Sequence, residues 1–345
     1  MTTDHSRRYH ISKTKVDQLL ALPQHGLNLL YHQLPNRDIL IIPIIDGGVE
    51  IDMDLSSIQG NLNATSSRAR LRVCGVTAIF GHYEATLKEP TDQTLPLKLF
   101  AFTDRKDQLL STKYWTVIDF LETPIFGSSS CGNNTDINSP CNNTNRFNLG
   151  KYYKMQAHQI PVIKYNCDVV IWFDCTVQIV NTRFVEMVSE ILLQGHNILV
   201  FEHHERGGYM SAEGDASVLT GRYHSTRAYN MDQPFQNTTA QLEHWQKEGF
   251  TEHWWKLDAK TKDLKLSAKF GMWVTCMVVF NLRAPETEQF LNLWWYENRR
   301  HTTQDQMTFA YVVWKTRVIP YSLPQGTIQG NSDYNNLYKK HPHGL

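Results

Sequence analysis

The sequence has no hydrophobic run long enough to cross a bilayer. Its longest apolar stretches, such as 274-VTCMVVFNL-282, fall far short of the ~20 residues a spanning helix needs. The opening residues, MTTDHSRRYHISKTK, lack the apolar centre of a secretory leader, so a cytoplasmic location with no integral membrane segment is expected. Net charge is also missing: 34 Lys and Arg balance 34 Asp and Glu. That balance excludes a protein drawn to nucleic acid, or to a lipid surface, by bulk charge. The six cysteines (Cys74, Cys131, Cys141, Cys167, Cys175 and Cys276) form no CxxC and no zinc-ligand spacing, and they read as thiols in a reducing compartment. Without a secretory route, the four sequons at Asn63, Asn133, Asn142 and Asn237 read as chance. No internal period of the kind solenoids show is present.

What is present is a core-forming composition, 41% hydrophobic over 345 residues, enough to bury a full interior. Apolar, β-rich runs at 71–83, 97–104, 114–120, 167–180, 197–204, 273–282 and 317–323 alternate with helical spacing at 150–160, 184–192, 238–248, 286–298 and 304–315. This alternation predicts an α/β fold, a mostly parallel sheet flanked by helices, in a single large domain over 71–323. Residues 1–70, with weak helical spacing at Val16–Leu22 and a short apolar run at 38–45, read as an extension packed on that core. Residues 127–148 are Gly, Ser, Asn and Pro with almost nothing apolar, a flexible insert in which Cys131 and Cys141 read as mobile thiols in a reducing compartment and as a pair in an oxidising one. Residues 324–345 read as a polar tail.

Several residues are candidates for chemistry. Asp174 ends the apolar run Val169–Phe173, and ligands of open α/β sheets sit at strand carboxyl ends. It either holds a ligand or metal there or simply opens a turn. Cys175 and Thr176 follow, so no second carboxylate supports a two-carboxylate metal site. Lys151 and Lys154 share a helix face, suited to a diphosphate or to solvent, and His158 continues that face at i+4. The stretch 203-HHERGGYMSAEGDA-216 places His203, His204, Arg206 and Tyr209 directly after a strand, where two glycines let the backbone approach a ligand. It is not an HExxH, and adjacent histidines on an extended chain point to opposite sides, which argues against zinc. Glu297 shares an apolar helix face with Phe290, Leu293 and Trp294, and a buried carboxylate there is either structural or functional. Thr303 to Gln306 reads as a capping box, with Asp305 in the first turn of a helix.

The ordered blocks GVTAIFGHY (ending at Tyr83), FTD (102–104), KYYKMQAH (151–158), IWFDCTVQI (171–179), EHHERGGY (202–209), QLEHWQKEGF (241–250) and LWWYENRRHTTQDQMTFAYV (293–312) resemble a glycosyltransferase-like family first described as a domain of unknown function. Its members include plant proteins of seed-mucilage synthesis and a turgor-regulating protein described as an alkaline ceramidase. The resemblance implies a GT-A-like fold and transfer of a sugar from a UDP- or GDP-linked donor to a glycan hydroxyl. It places Tyr83 and Asp104 near base and ribose, Lys151, Lys154 and His158 on the donor, and His203, His204, Arg206 and Tyr209 toward the acceptor. Asp174 becomes the diphosphate-side residue, with Mn²⁺ or Mg²⁺ held only together with the donor. In an inverting enzyme of this fold the proton acceptor is a carboxylate near the start of a late helix. Asp305 fits that place, with Glu297 as its rival. A form without an anchor fits a cytosolic, virus-encoded glycan pathway. A metal-assisted amide hydrolase and a non-catalytic carbohydrate-binding protein are the alternatives. The Asn-rich insert, and the Gly-rich segment after Arg206 where the family pattern calls for an acidic helix, depart from the pattern.

Overall fold

The computed structural model describes residues 28–33, 39–44, 71–80, 84–109, 112–120, 146–219, 238–298, 304–323, 333–334 and 337–341. The chain divides into two compact units, Met1–Arg70 and Leu71–Leu345. In the first, β1 (Asn28–Gln33) and β2 (Ile39–Ile44) pair as an antiparallel hairpin. The helical reading of Val16–Leu22, and Cys131 and Cys141, lie outside the described residues.

The second unit is built on a seven-stranded sheet. Its members are β3 (Val73–Ile79), β4 (Leu97–Thr103), β5 (Trp115–Asp119), β6 (Val169–Phe173), β8 (Ile198–Glu202), β9 (Trp273–Asn281) and β10 (Tyr321–Leu323). They lie in the order β10-β8-β9-β6-β3-β4-β5. All neighbours are parallel except β9, which runs antiparallel to both β6 and β8. The amino-terminal end of β9 therefore meets the carboxyl ends of the other strands. Among the described residues the unit has seven helices: α1 (Arg146–Met155), α2 (Pro161–Asn166), α3 (Phe184–Leu193), α4 (Met210–Leu219), α5 (Thr238–Lys247), α6 (Pro285–Asn298) and α7 (Asp305–Thr316). This is the mostly parallel α/β sheet flanked by helices that the sequence predicts.

The sheet is covered on both faces, which is why β6 carries five consecutive buried apolar residues rather than an alternation. Val169, Ile171 and Phe173 pack into one core with Phe184, Val188 and Ile191 of α3. Val170 and Trp172 point to the other, with Tyr153 of α1, Trp294 of α6 and Phe309 of α7. At the centre, a Cβ on Gly75 would stand 2.5 Å from Leu99 Cδ2 and 2.8 Å from Phe173 Cε1, so only glycine lets β3 carry these neighbours.

Three features differ from expectation. The run 167–180 is not one strand. It breaks after β6, where the Val177 N–H donates to the Asp174 carbonyl (2.8 Å), and β7 (Val177–Ile179) leaves the main sheet. There it joins a small sheet with β12 (Tyr338–Lys340) and β11 (Asp333–Tyr334). The segment read as a polar tail thus contributes strands, and Tyr338 is fully buried against Phe201. Finally, Cys74 of β3 and Cys167, just before β6, form a disulfide with Cα atoms 5.7 Å apart. Disulfides persist in oxidising surroundings, so this bond runs against the reducing compartment expected from the sequence. The register Val73↔Val169 brings the two sulfurs together although 93 residues separate them. No helix among the described residues is long and apolar enough to cross a membrane.

Candidate active site

Four charged groups meet at the carboxyl edge of the sheet. Asp174 follows β6, and its backbone N–H donates to the Cys276 carbonyl of β9 (2.7 Å). Its Oδ1 accepts from Trp172 Nε1 (3.0 Å) and lies 3.8 Å from Lys154 Nζ. Lys154 in turn forms an ion pair with Asp305 Oδ2 at the start of α7. The other oxygen, Oδ1, lies 2.9 Å from Lys151 Nζ, and Thr275 of β9 donates to Oδ2 (2.9 Å). Lys151 and Lys154 share one helical face three residues apart, which is why both reach the same carboxylate. The indole rings of Trp172 and Trp294 flank Lys154 Nζ at 5.7 and 5.6 Å from their centroids, a favourable setting for a desolvated ammonium.

The quartet is graded from interior to solvent. The Lys154 side chain is 1% exposed, Asp305 7%, Lys151 16% and Asp174 40%. Burial opposes charge on Asp305, but the ammoniums of Lys151 and Lys154 more than offset it, and the carboxyl is held well below the usual range. Lys154 is likewise driven down by burial and then up, beyond its ordinary value, by Asp305 and Asp174. On Lys151 burial wins, helped by the like charge of Lys154, and its value is lowered.

A second polar network adjoins the first through the residue before Asp305. Gln304 donates from Nε2 to Glu213 Oε1 (2.5 Å) and to Ser217 Oγ (2.9 Å), both on α4. Arg206 Nε donates to Glu213 Oε2 (2.6 Å), and His203 Nε2 stands 3.7 Å from the same oxygen. The capping box does not form around Gln304: it is the residue preceding α7 and makes no side-chain cap, because its amide is engaged with α4. Thr303 lies outside the described residues. The two histidines do not diverge either. The chain turns after Glu202, and the rings of His203 and His204 lie parallel at 5.7 Å. His204 Nε2 is 3.3 Å from Glu205 Oε1. Gly207 and Gly208 have positive φ, but the close approach they allow is to the chain itself: a Cβ on Gly208 would be 2.4 Å from the Phe270 carbonyl oxygen. Tyr209 is 44% exposed, with its ring 4.2 Å from that of His253. Helix α4 follows, where the glycines had suggested a departure from the family pattern.

The structure does not bring every candidate here. α1 ends at Met155, so His158 leaves the lysine face and falls in a short 3-10 turn. Its Nε2 lies 3.1 Å from Asn292 Oδ1, in a pocket with Arg72, Asp168 and Arg283 at the opposite, amino-terminal edge of the parallel strands. Burial lowers its pKa. Asp104 follows β4 on the same edge as Asp174, with β3 between them, and lies 4.0 Å from Arg105 Nε. Glu297 is buried and accepts from Trp245 Nε1 (3.1 Å), joining α6 to α5. Tyr83 lies outside the described residues. Thr275 and Trp172 were not foreseen, nor was the bond between Glu213 of the polar stretch 203–216 and Gln304. The only signal for Thr275 is a hydroxyl inside an otherwise apolar strand.

Among the described residues, no three His, Cys, Asp or Glu side chains converge as a metal site. Of the two carboxylates in the quartet, Asp174 is the one partly exposed. With Oδ1 engaged by Trp172, it fits a Mn²⁺ or Mg²⁺ ion only as one ligand among phosphate oxygens and water.

The charged cluster lies at the carboxyl edge of a mostly parallel sheet, the edge at which open α/β sheets hold ligands. Residues 137–343, well over half of the chain, match the sequence model of the TOD1/MUCI70, glycosyltransferase-like domain family, and the chain belongs to that family. The match takes in β12, beyond the boundary read from sequence. No curated protein matches. Among solved structures the chain is similar to mouse xyloside xylosyltransferase 1, apo form, at 11% identity over 73% of this chain and 84% of that one, TM-score 0.34. It is also similar to the WbbM bifunctional glycosyltransferase, apo, at 9% identity over 75% of this chain and 40% of that one, TM-score 0.37. Likeness at this level speaks to neither substrate nor mechanism.

Proposed function

We propose that this chain transfers a glycosyl group from a UDP- or GDP-linked donor to a hydroxyl of a glycan acceptor. The observation that carries the reading is the Lys151–Lys154 pair, fixed by Asp305 beside Asp174 at the edge where such sheets hold ligands. Sugar transfer leaves negative charge on the departing diphosphate, and ammoniums set in place beforehand stabilise it without reorganisation. Lys151, the more exposed of the two, meets the diphosphate, while Lys154 holds Asp305 and Asp174 in register. A divalent ion bound with the donor would add charge neutralisation, with Asp174 as its protein ligand. Asp104, on the same edge, is assigned to the nucleoside.

The surroundings of Asp305 favour a holding role over a proton-accepting one. A base works best with a pKa near the operating pH, whereas two ammoniums keep this carboxyl far below it. Glu297 is occupied with Trp245 and suits a bracing role. On the acceptor side, Tyr209 offers an exposed ring for stacking, with His204 beside it in sequence across the glycine turn. Arg206 and His203 shape that turn through Glu213.

Slow hydrolysis of a UDP- or GDP-sugar without acceptor, read as released nucleoside diphosphate, is the expected result. A panel of such donors left intact, with donor binding retained, would instead support a carbohydrate-binding protein without turnover.

A further inference from the structure

Between α5 and β9 the chain makes a turn-rich excursion that is fastened to the carboxyl edge of the sheet. Ser267 Oγ donates to Glu202 Oε1 (2.6 Å), and the Phe270 carbonyl occupies the space left by Gly208. Within it, Thr261 donates to the Trp255 carbonyl (2.8 Å), and Trp254, Trp255 and Phe270 are buried, so the loop has a fixed interior. Its outer face is unusual. The stretch 256-KLDAKTKDLKLSAK-269 exposes five lysines: Lys256, Lys260, Lys262, Lys265 and Lys269. Two aspartates share the stretch, but Asp258 is engaged by Arg317, whose Nε lies 2.8 Å away. Against five lysines the stretch thus sets two aspartates, one of them shared with Arg317. Among them stand two leucines in solvent, Leu257 at 86% and Leu264 at 47% exposure. The zero net charge of the whole chain conceals this local patch.

We propose that this loop is a peripheral contact for a membrane surface bearing anionic lipid. Ammoniums near such a surface are attracted to its headgroups, and apolar side chains beside them gain by entering the acyl boundary. The combination is what selects a bilayer. A soluble polyanion would neutralise the lysines but leave both leucines in water, whereas an anionic membrane accommodates both kinds of side chain. Because the loop runs into the amino-terminal end of β9, the edge carrying Asp174 and Thr275 lies on the docked side. The proposal does not depend on the reaction catalysed.

Sedimentation of the full chain with phosphatidylcholine vesicles, with and without phosphatidylserine, tests it. The bound fraction should rise at least ~10-fold with the anionic lipid and fall as salt is added. Leu257→Ser with Leu264→Ser should weaken binding to the anionic vesicles by about 10-fold, and Lys262→Gln with Lys265→Gln and Lys269→Gln should remove the lipid preference. Heparin serves as the soluble polyanion. Equal sedimentation with both vesicle types overturns the proposal. So does lysine-dependent retention of heparin with no vesicle binding, or vesicle binding indifferent to the two leucines. Salt dependence and heparin competition on the unaltered chain read the same contact without relying on any variant folding.

Discussion

Lys154 and Asp305 stand 151 residues apart in sequence and form a buried ion pair that joins α1 to α7 beneath the strand-end Asp174. Removing Asp305 takes away the nearest counter-charge of a buried ammonium and leaves it only Asp174, 3.8 Å away, at a cost of up to about 3–5 kcal/mol. Asp305→Asn should therefore lower the melting temperature and weaken donor binding together with turnover. If Asp305 were the proton acceptor instead, donor affinity would stay within a few-fold while turnover fell ~10²-fold. Donor titrations beside steady-state rates separate the two outcomes.

Asp174 reaches solvent more than any other member of the quartet, with one oxygen held by Trp172. A divalent ion is expected to bind only when the donor is present, since one carboxylate makes a weak site. Calorimetric titration of Mn²⁺ should show no saturation on the protein alone and clear saturation with a nucleoside diphosphate added. Asp174→Ala should abolish the second signal. Full activity in EDTA would contradict the metal half of this account.

Away from the site, Asp168 is bound by Arg72 through both side chain and backbone, and by Arg283 at 2.9 Å. Burial pushes its carboxyl up, but these bonds prevail and set its pKa at about 2, against an ordinary 3.8. A value depressed on folding contributes stability that is fully present above the unfolded pKa and is lost as pH falls through the folded one. Urea midpoints should thus decline between about pH 4 and pH 2, and Asp168→Asn should flatten that part of the profile.

The Cys74–Cys167 disulfide closes a long loop between adjacent strands. Its loss should cost about 4–5 kcal/mol on the chain-entropy estimate. Cys74→Ala, or reduction of the native protein, should lower the melting temperature markedly. Non-reducing peptide mapping should recover Cys74 and Cys167 joined. Alkylation of both thiols in unreduced, denatured protein would refute the bond and restore the reducing-compartment reading.

The sheet was largely legible because its strands are apolar runs and its helices have apolar spacing, as at Phe184, Val188 and Ile191. Asp174 was legible as the end of β6, for the same reason. The partnership of Lys154 with Asp305 was not: a helix-face lysine looks solvated until a distant segment packs over it. His158 was misplaced because nothing at Met155 signals a helix end. α4 was hidden by the glycines that precede it, and β12 by the two lysines that follow Tyr338.

The central claim is that Lys151, set in place by Asp305 beside Lys154, receives the diphosphate of a nucleotide sugar. Calorimetry of the full chain against UDP- and GDP-sugars, repeated with Lys151→Ala, tests it most directly. The account predicts saturable binding of at least one donor, weakened ~10-fold or more in Lys151→Ala, the scale of about 1.4 kcal/mol for a lost charged contact. No binding of any donor at millimolar concentration, or equal affinity in the variant, would contradict it.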